Sequence, residues 1–93
     1  MRFEWDDRKN RMNIRKHGID FRDAVEMFNG PMLIQVDNRH DYAEDRWIGI
    51  GLLFSIVAVV VYVEWEDVET IRIISARKAT RYESQEYYKR IPH

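Results

Sequence analysis

Cysteine is missing from all 93 residues, which removes disulfide frameworks and thiolate metal sites and suits a reducing compartment. A cytoplasmic location is therefore expected. Long hydrophobic runs are scarce too. The longest, Ile48 to Val63, is broken by Gly49, Gly51 and Ser55 and falls short of the roughly 20 residues a membrane helix needs. Its β-branched residues read as buried strand instead. The opening Arg2, Glu4, Asp6 and Asp7 lack the apolar core of a secretory signal, so no membrane association is expected. Repeats, low-complexity tracts and linkers are also wanting, and the length suits one domain spanning residues 1–93.

Several catalytic signatures are likewise absent. His17, His40 and His93 form neither the i, i+4 pair of a zinc protease nor a set with cysteine. Gly49 and Gly51 fall inside a strand pattern with no Gly-Lys-Ser/Thr following, so no phosphate loop is present. Ser55 and Ser75 sit in no nucleophile elbow. A reaction without metal or cofactor is expected.

What the chain does have is enough apolar and aromatic material for a packed interior, at 45% hydrophobic residues with three Trp, five Tyr and four Phe. That composition argues against disorder. The net charge of -1 conceals an asymmetry: residues 1–22 carry seven Lys/Arg against four Asp/Glu, residues 72–93 six against two, and the middle two against ten. If folding brings the ends together, they make a positive face for phosphates beside a negative one.

The element pattern predicts an α+β fold. Phe3 to Trp5 reads as a short strand or staple before Asp6, which caps a helix ending at His17-Gly18. A second helix fits Asp20 to Asn29, with Phe21, Ala24, Val25 and Phe28 on one face. Strands follow at Met32–Asp37, Arg46–Leu53, Ile56–Trp65 and Thr70–Arg77, and a last helix at Lys78–Tyr88. The expected architecture is a small antiparallel sheet of about four strands, with two N-terminal helices and a C-terminal helix covering one face. The turn at Phe54-Ser55 lacks the Gly or Asn of a two-residue hairpin, so either it is longer or the second strand starts later.

Arg46, Glu64, Arg72 and Arg77 stand out as long polar side chains in otherwise apolar strands. Alternation puts Tyr62 and Glu64 on one side of their strand, and Thr70 and Arg72 on one side of theirs. If those sides coincide, a carboxylate meets a guanidinium on the uncovered face. Such a pair suits RNA cleavage by transphosphorylation, in which the ribose 2′-OH attacks the adjacent phosphorus. Glu64 or His40 would take the proton, Arg46, Arg72 and Arg77 would hold the phosphorane, and Tyr62, Tyr82 or Trp65 would stack on a base. Against this, cross-strand Glu/Arg pairs are common on exposed sheets, tyrosines at a core edge are ordinary packing, and His17 suits a helix C-terminus.

Four segments together resemble the BrnT toxins of bacterial type II toxin–antitoxin systems. They are Phe3-Glu4-Trp5-Asp6 with Lys9-Asn10; Lys16-His17-Gly18-Ile19 with Phe21 and Ala24; His40-Asp41-Tyr42 with Glu44 and Arg46-Trp47; and Arg72-Ile73-Ile74-Ser75-Ala76-Arg77-Lys78-Ala79. The resemblance implies a RelE-like ribonuclease fold, RNA cleavage that inhibits translation, and neutralisation by a BrnA-like antitoxin whose own domain binds operator DNA. A homodimer or a heterotetramer with the antitoxin stays open. The matching polar positions are Lys9, His17, His40, Asp41, Arg46, Glu64, Arg72, Arg77 and Lys78, with Lys9 and Lys78 as added RNA-binding candidates.

Two positions depart from that pattern. Glu64-Trp65 stands where the family usually has Glu followed by Arg, so one cation is missing, and Phe54-Ser55 replaces an Asp/Asn-Gly type of turn. The missing cation motivates an alternative, a weak or inactive homologue that binds antitoxin as a co-repressor module.

Overall fold

A computed structural model describes residues 1–39 and 43–92. His40, Asp41, Tyr42 and His93, and with them the proposed role of His40, lie outside the described residues. Five strands form one sheet: β1 (Arg2–Glu4), β2 (Leu33–Asp37), β3 (Arg46–Leu53), β4 (Ile56–Trp65) and β5 (Thr70–Lys78), in the spatial order β1-β5-β4-β3-β2. The β2–β5 run is the expected antiparallel meander, whereas β1 pairs in parallel with β5. The sheet thus has one strand more than about four and is mixed. Three residues are too few for a periodic signal, and β1 is fixed by its distant partner.

Helix α1 (Asp7–His17) starts where the Asp6 side chain accepts from the Lys9 N–H and ends at Gly18, whose φ of 73° is cheap only without a Cβ. The second helical segment is shorter than its periodicity suggested: α2 (Phe21–Ala24) tightens into a 3₁₀ turn at Val25–Asn29. Helix α3 (Arg81–Arg90) is opened by a capping box between Thr80 and Glu83.

Phe21, Ala24 and Met27 pack on one sheet face with Ala58, Val60, Tyr62, Ile71, Ile73 and Ala76. Gly49 and Gly51 leave room there for Met32, whose Cγ would lie 2.6 Å from a Cβ at position 51. The other face carries Val57, Val59, Val61 and Val63, all buried. Helix α3 covers part of it, with Glu83 and Glu86 facing Leu33, Gln35, Ile48 and Ile50 across a cleft and Tyr87 donating to the Pro31 carbonyl at 3.3 Å. Helices therefore lie on both faces, correcting the expectation of one: β4 is apolar on both sides and needs two covers.

Buried Asn13 ties α1 to the sheet. Its amide donates to the carbonyls of Ala76 and Ile19 at 2.8 and 2.9 Å, and its carbonyl accepts from the Ala76 N–H at 3.1 Å. Beyond the short β1, this one side chain takes the place of a neighbouring strand for β5. Asn10 similarly bridges α1 to Asp20 and to the Phe21 N–H.

Candidate functional site

One residue of β5 decides which arginines share a face. From Ala58↔Lys78 to Val61↔Ser75 the β4–β5 register runs evenly; between Val61 and Tyr62 it slips by one, and Tyr62 pairs with Ile73. Ile74 is the extra residue of this bulge. In a regular strand Arg72 and Arg77, five apart, would point to opposite faces. The bulge instead sets Arg72 opposite Val63 and Arg77 opposite Val59, placing both on the α3 face. The same slip separates Glu64 from Arg72. Glu64 opposes Ile71 on the Tyr62 side, so the expected Glu64/Arg72 pairing does not form.

Arg72 instead meets Glu4, its register partner on β1, and the two form an ion pair between Nη1 and Oε2. Across the sheet, Asp37 opposes Arg46. One step beyond the Trp47↔Tyr62 pair, Arg46 comes beside Val63. The sheet thus carries a row of Asp37, Arg46, Val63, Arg72 and Glu4, one residue from each strand. Two guanidinium-bearing strands flank a buried valine about 10 Å apart, with an acid at each end. Arg39 adds a third cation by gripping Asp37 through Nε and Nη2, both at 2.8 Å.

Along the same face, the next row holds Gln35, Ile48, Val61 and Ser75, and the one after it Leu33, Ile50, Val59 and Arg77. Arg77 is engaged differently from Arg72. It holds Glu83 by two parallel bonds of 2.8 Å, while Glu83 also closes the α3 capping box. The Arg77 guanidinium, first among several causes, holds the Glu83 carboxyl down at about 2, and Glu83 in turn raises the pKa of Arg77. Arg77 thus secures α3 and is two rows from Arg72.

The remaining positions divide. Tyr62 is 3% exposed and packs edge-on against Phe28 at 5.0 Å, and burial raises its hydroxyl pKa. This corrects the expectation that Tyr62 stacks on a base, since it presents no face to one. Tyr82, 71% exposed, lines the cleft of about 320 Å³ between α3 and strands β2 and β3. Lys78 opposes Ala58, so it points away from Arg77. Lys9 lines a groove between α1 and β5 together with Met12, Lys16, His17, Ile74 and Ser75. Ser75 opposes Val61 on the arginine side, one row from Arg72, so this cationic groove borders the arginine-bearing face.

Trp65 opposes Thr70 and by alternation shares the face of Val63 and Arg72. Its indole donates to Glu44 at 2.9 Å. The sequence reading missed Glu4 and Arg39 as site members. Glu4 lay within a strand of three residues, and Arg39 lay in a polar loop where a charge is unremarkable. Among the described residues no group of three or more His, Cys, Asp or Glu is placed to hold a metal, and no helix is long and apolar enough to cross a membrane.

Comparison with known proteins bears on this arrangement. A family model described as "Ribonuclease toxin, BrnT, of type II toxin-antitoxin system" matches residues 5–83. The crystal structure of the Brucella abortus ribonuclease toxin BrnT is similar at a TM-score of 0.66 and 31% identity, covering 87% of this chain and 99% of that one. No protein of curated function matches the sequence.

Proposed function

The chain belongs to the BrnT family of ribonuclease toxins of type II toxin–antitoxin systems, and from that premise we propose that it cleaves RNA by metal-independent transphosphorylation on the Arg46–Arg72 row. The observation that carries this reading is the ion pair of Arg72 with Glu4 beside Arg46 on one sheet face. Guanidinium groups match phosphate oxygens in pairs and stay charged at every physiological pH. An exposed ion pair is worth about 0–1 kcal/mol, so a substrate phosphate can take over Arg72 at little cost. Glu4, freed beside the bound phosphate, is then a carboxylate within reach of the ribose.

The steps balance without a further reactant. Glu4 removes the 2′-OH proton and O2′ attacks phosphorus. The P–O5′ bond breaks, and O5′ leaves with the proton that Glu4 took, returned through water, giving a 2′,3′-cyclic phosphate and a 5′-hydroxyl. General acid–base help of this kind is typically worth about 10² to 10⁴-fold, and charge stabilisation by positioned donors about 10² to 10³-fold for each. The cationic groove along α1, with Lys9 and Lys16, carries the neighbouring phosphates, and Tyr82 offers a ring to a base. Cleavage arrests translation, and a BrnA-like antitoxin silences the toxin and links it to operator DNA.

Incubating the purified protein with single-stranded RNA in EDTA should release fragments with cyclic phosphate ends. Cleavage that needs added divalent metal, or that leaves 3′-hydroxyl ends, would sink the mechanism. Trp65, on the face where the family pattern expects a cation, favours a second reading, an antitoxin-binding co-repressor with little catalysis. Expressing the protein alone separates the two: growth arrest supports the nuclease, and normal growth with intact antitoxin binding supports the co-repressor.

A further inference from the structure

Far from the arginine row, the β3–β4 hairpin closes with Phe54 and Ser55 between the paired Leu53 and Ile56. Phe54 has a φ of 57° at the first central position of a two-residue turn, a place suited to Gly or Asn. A bulky side chain held there is strained. The ring gains nothing evident in return, being 69% exposed. Leu52 and Ile56, its neighbours in the hairpin, and Tyr88 on α3 are exposed as well. Ile56 and Tyr88 also line an open groove of about 550 Å³ with Ser55, Val57, Thr80 and Ser84. Among the residues lining this groove, the charged ones are Lys78 and Arg81, both cations.

We propose that Phe54 and this groove form the anchor for a segment of the antitoxin polypeptide that presents apolar side chains flanked by acidic ones. The proposal rests on the toxin–antitoxin reading above. Strain kept at an exposed aromatic points to a contact made outside the free chain. An aromatic anchor among smaller apolar groups has the composition of a binding hot spot, and a purely cationic rim selects an acidic partner. The hairpin tip and the Arg46–Arg72 row lie at opposite ends of β4, about 25 Å apart. The anchor therefore supplies affinity without itself covering the arginines.

The full-length protein and its Phe54→Gly and Arg81→Glu variants would be titrated with the cognate antitoxin by calorimetry at low and high salt. Thermal unfolding and RNA cleavage of each free protein would be measured alongside. Phe54→Gly should raise the melting temperature, because the turn relaxes, yet weaken the antitoxin complex at least tenfold with cleavage unchanged. Arg81→Glu should weaken the complex more at low salt than at high salt. Unaltered antitoxin affinity of Phe54→Gly overturns the proposal, and so does a lower melting temperature, which would make the ring a structural element. A wild-type dimer that Phe54→Gly splits, with antitoxin affinity intact, assigns the patch to a second copy and also overturns it. Failure of the wild type to bind antitoxin at all removes the toxin–antitoxin reading together with the proposal, whereas failure confined to the variants leaves that reading standing.

Discussion

Arg72 and Glu4 are register partners in the parallel β1–β5 pairing, and their side chains close on each other as an ion pair on the sheet face that Arg72 shares with Arg46. The pair joins residues 68 positions apart in the chain, and both are partly exposed. Replacing Arg72 with Ala should lower RNA cleavage by about 10² to 10³-fold with a small change in stability, because an exposed pair contributes about 0–1 kcal/mol. Single-turnover cleavage and thermal unfolding of the same samples would check this. A folded Arg72→Ala protein that cleaves RNA at the wild-type rate contradicts the assignment.

Glu4→Gln keeps the shape but cannot accept the ribose proton. The expected result is a loss of about 10² to 10⁴-fold in cleavage with RNA affinity and folding retained. A merely structural Glu4 would leave the single-turnover rate of the folded variant unchanged.

The Arg77–Glu83 fork should make stability depend on pH. Glu83 titrates at about 2 in the folded chain against 4.5 for the ordinary group. Its contribution is therefore complete above about pH 4.5 and lost as pH falls from there through 2. The shift corresponds to at most about 3 kcal/mol, and to nearer 1 after screening, since the Arg77 side chain is 37% exposed. Thermal unfolding between pH 6 and 2 should show a shallower acid decline for Glu83→Gln than for the wild type. Asp6 and Asp20, lowered chiefly by backbone hydrogen bonds from Lys9 and Arg22, add to the decline in both proteins. Equal slopes would show that the fork does not couple to folding.

Asn13→Ala strips the partner from both backbone groups of buried Ala76 and from the Ile19 carbonyl. Leaving such groups unmatched costs about 1–3 kcal/mol each where water cannot enter. A loss of roughly 3 kcal/mol, or about 12 to 24 °C in melting temperature for a domain of this size, is expected in calorimetry. A change under 4 °C would mean that water replaces the amide and that β5 does not need it.

Much of the fold was legible in the residues. Asp6 and Gly18 bracket α1 as capping chemistry requires, and the β-branched runs locate β3, β4 and β5. The two-residue turn at Phe54-Ser55, with β4 beginning at Ile56, formed despite lacking the preferred residues, so the extended strand pairing outweighs the local cost. The site was legible only within each strand. Alternation orders the side chains of β4 and of β5 separately, but their relation depends on register, and the slip at Val61/Tyr62 carries no mark that composition reveals. Had the register of Val61↔Ser75 continued, Glu64 would have faced Arg72 as expected. Glu4 was hidden for a similar reason, since a three-residue strand acquires its place from a neighbour distant in sequence.

The extra residue at position 74 acts through its count and not through its chemistry. Exchanging Ile74 for another side chain preserves the parity of everything between it and the start of β5. Deleting it would let Ile73 follow Ser75 directly in the ladder, a regular strand in which Arg72 stays opposite Val63 and Ile71 and Ile73 stay on the Tyr62 side. A residue added here without a bulge to absorb it would instead turn Arg72 to the other face, so the bulge lets the strand tolerate a change of length and still keep its arginines together.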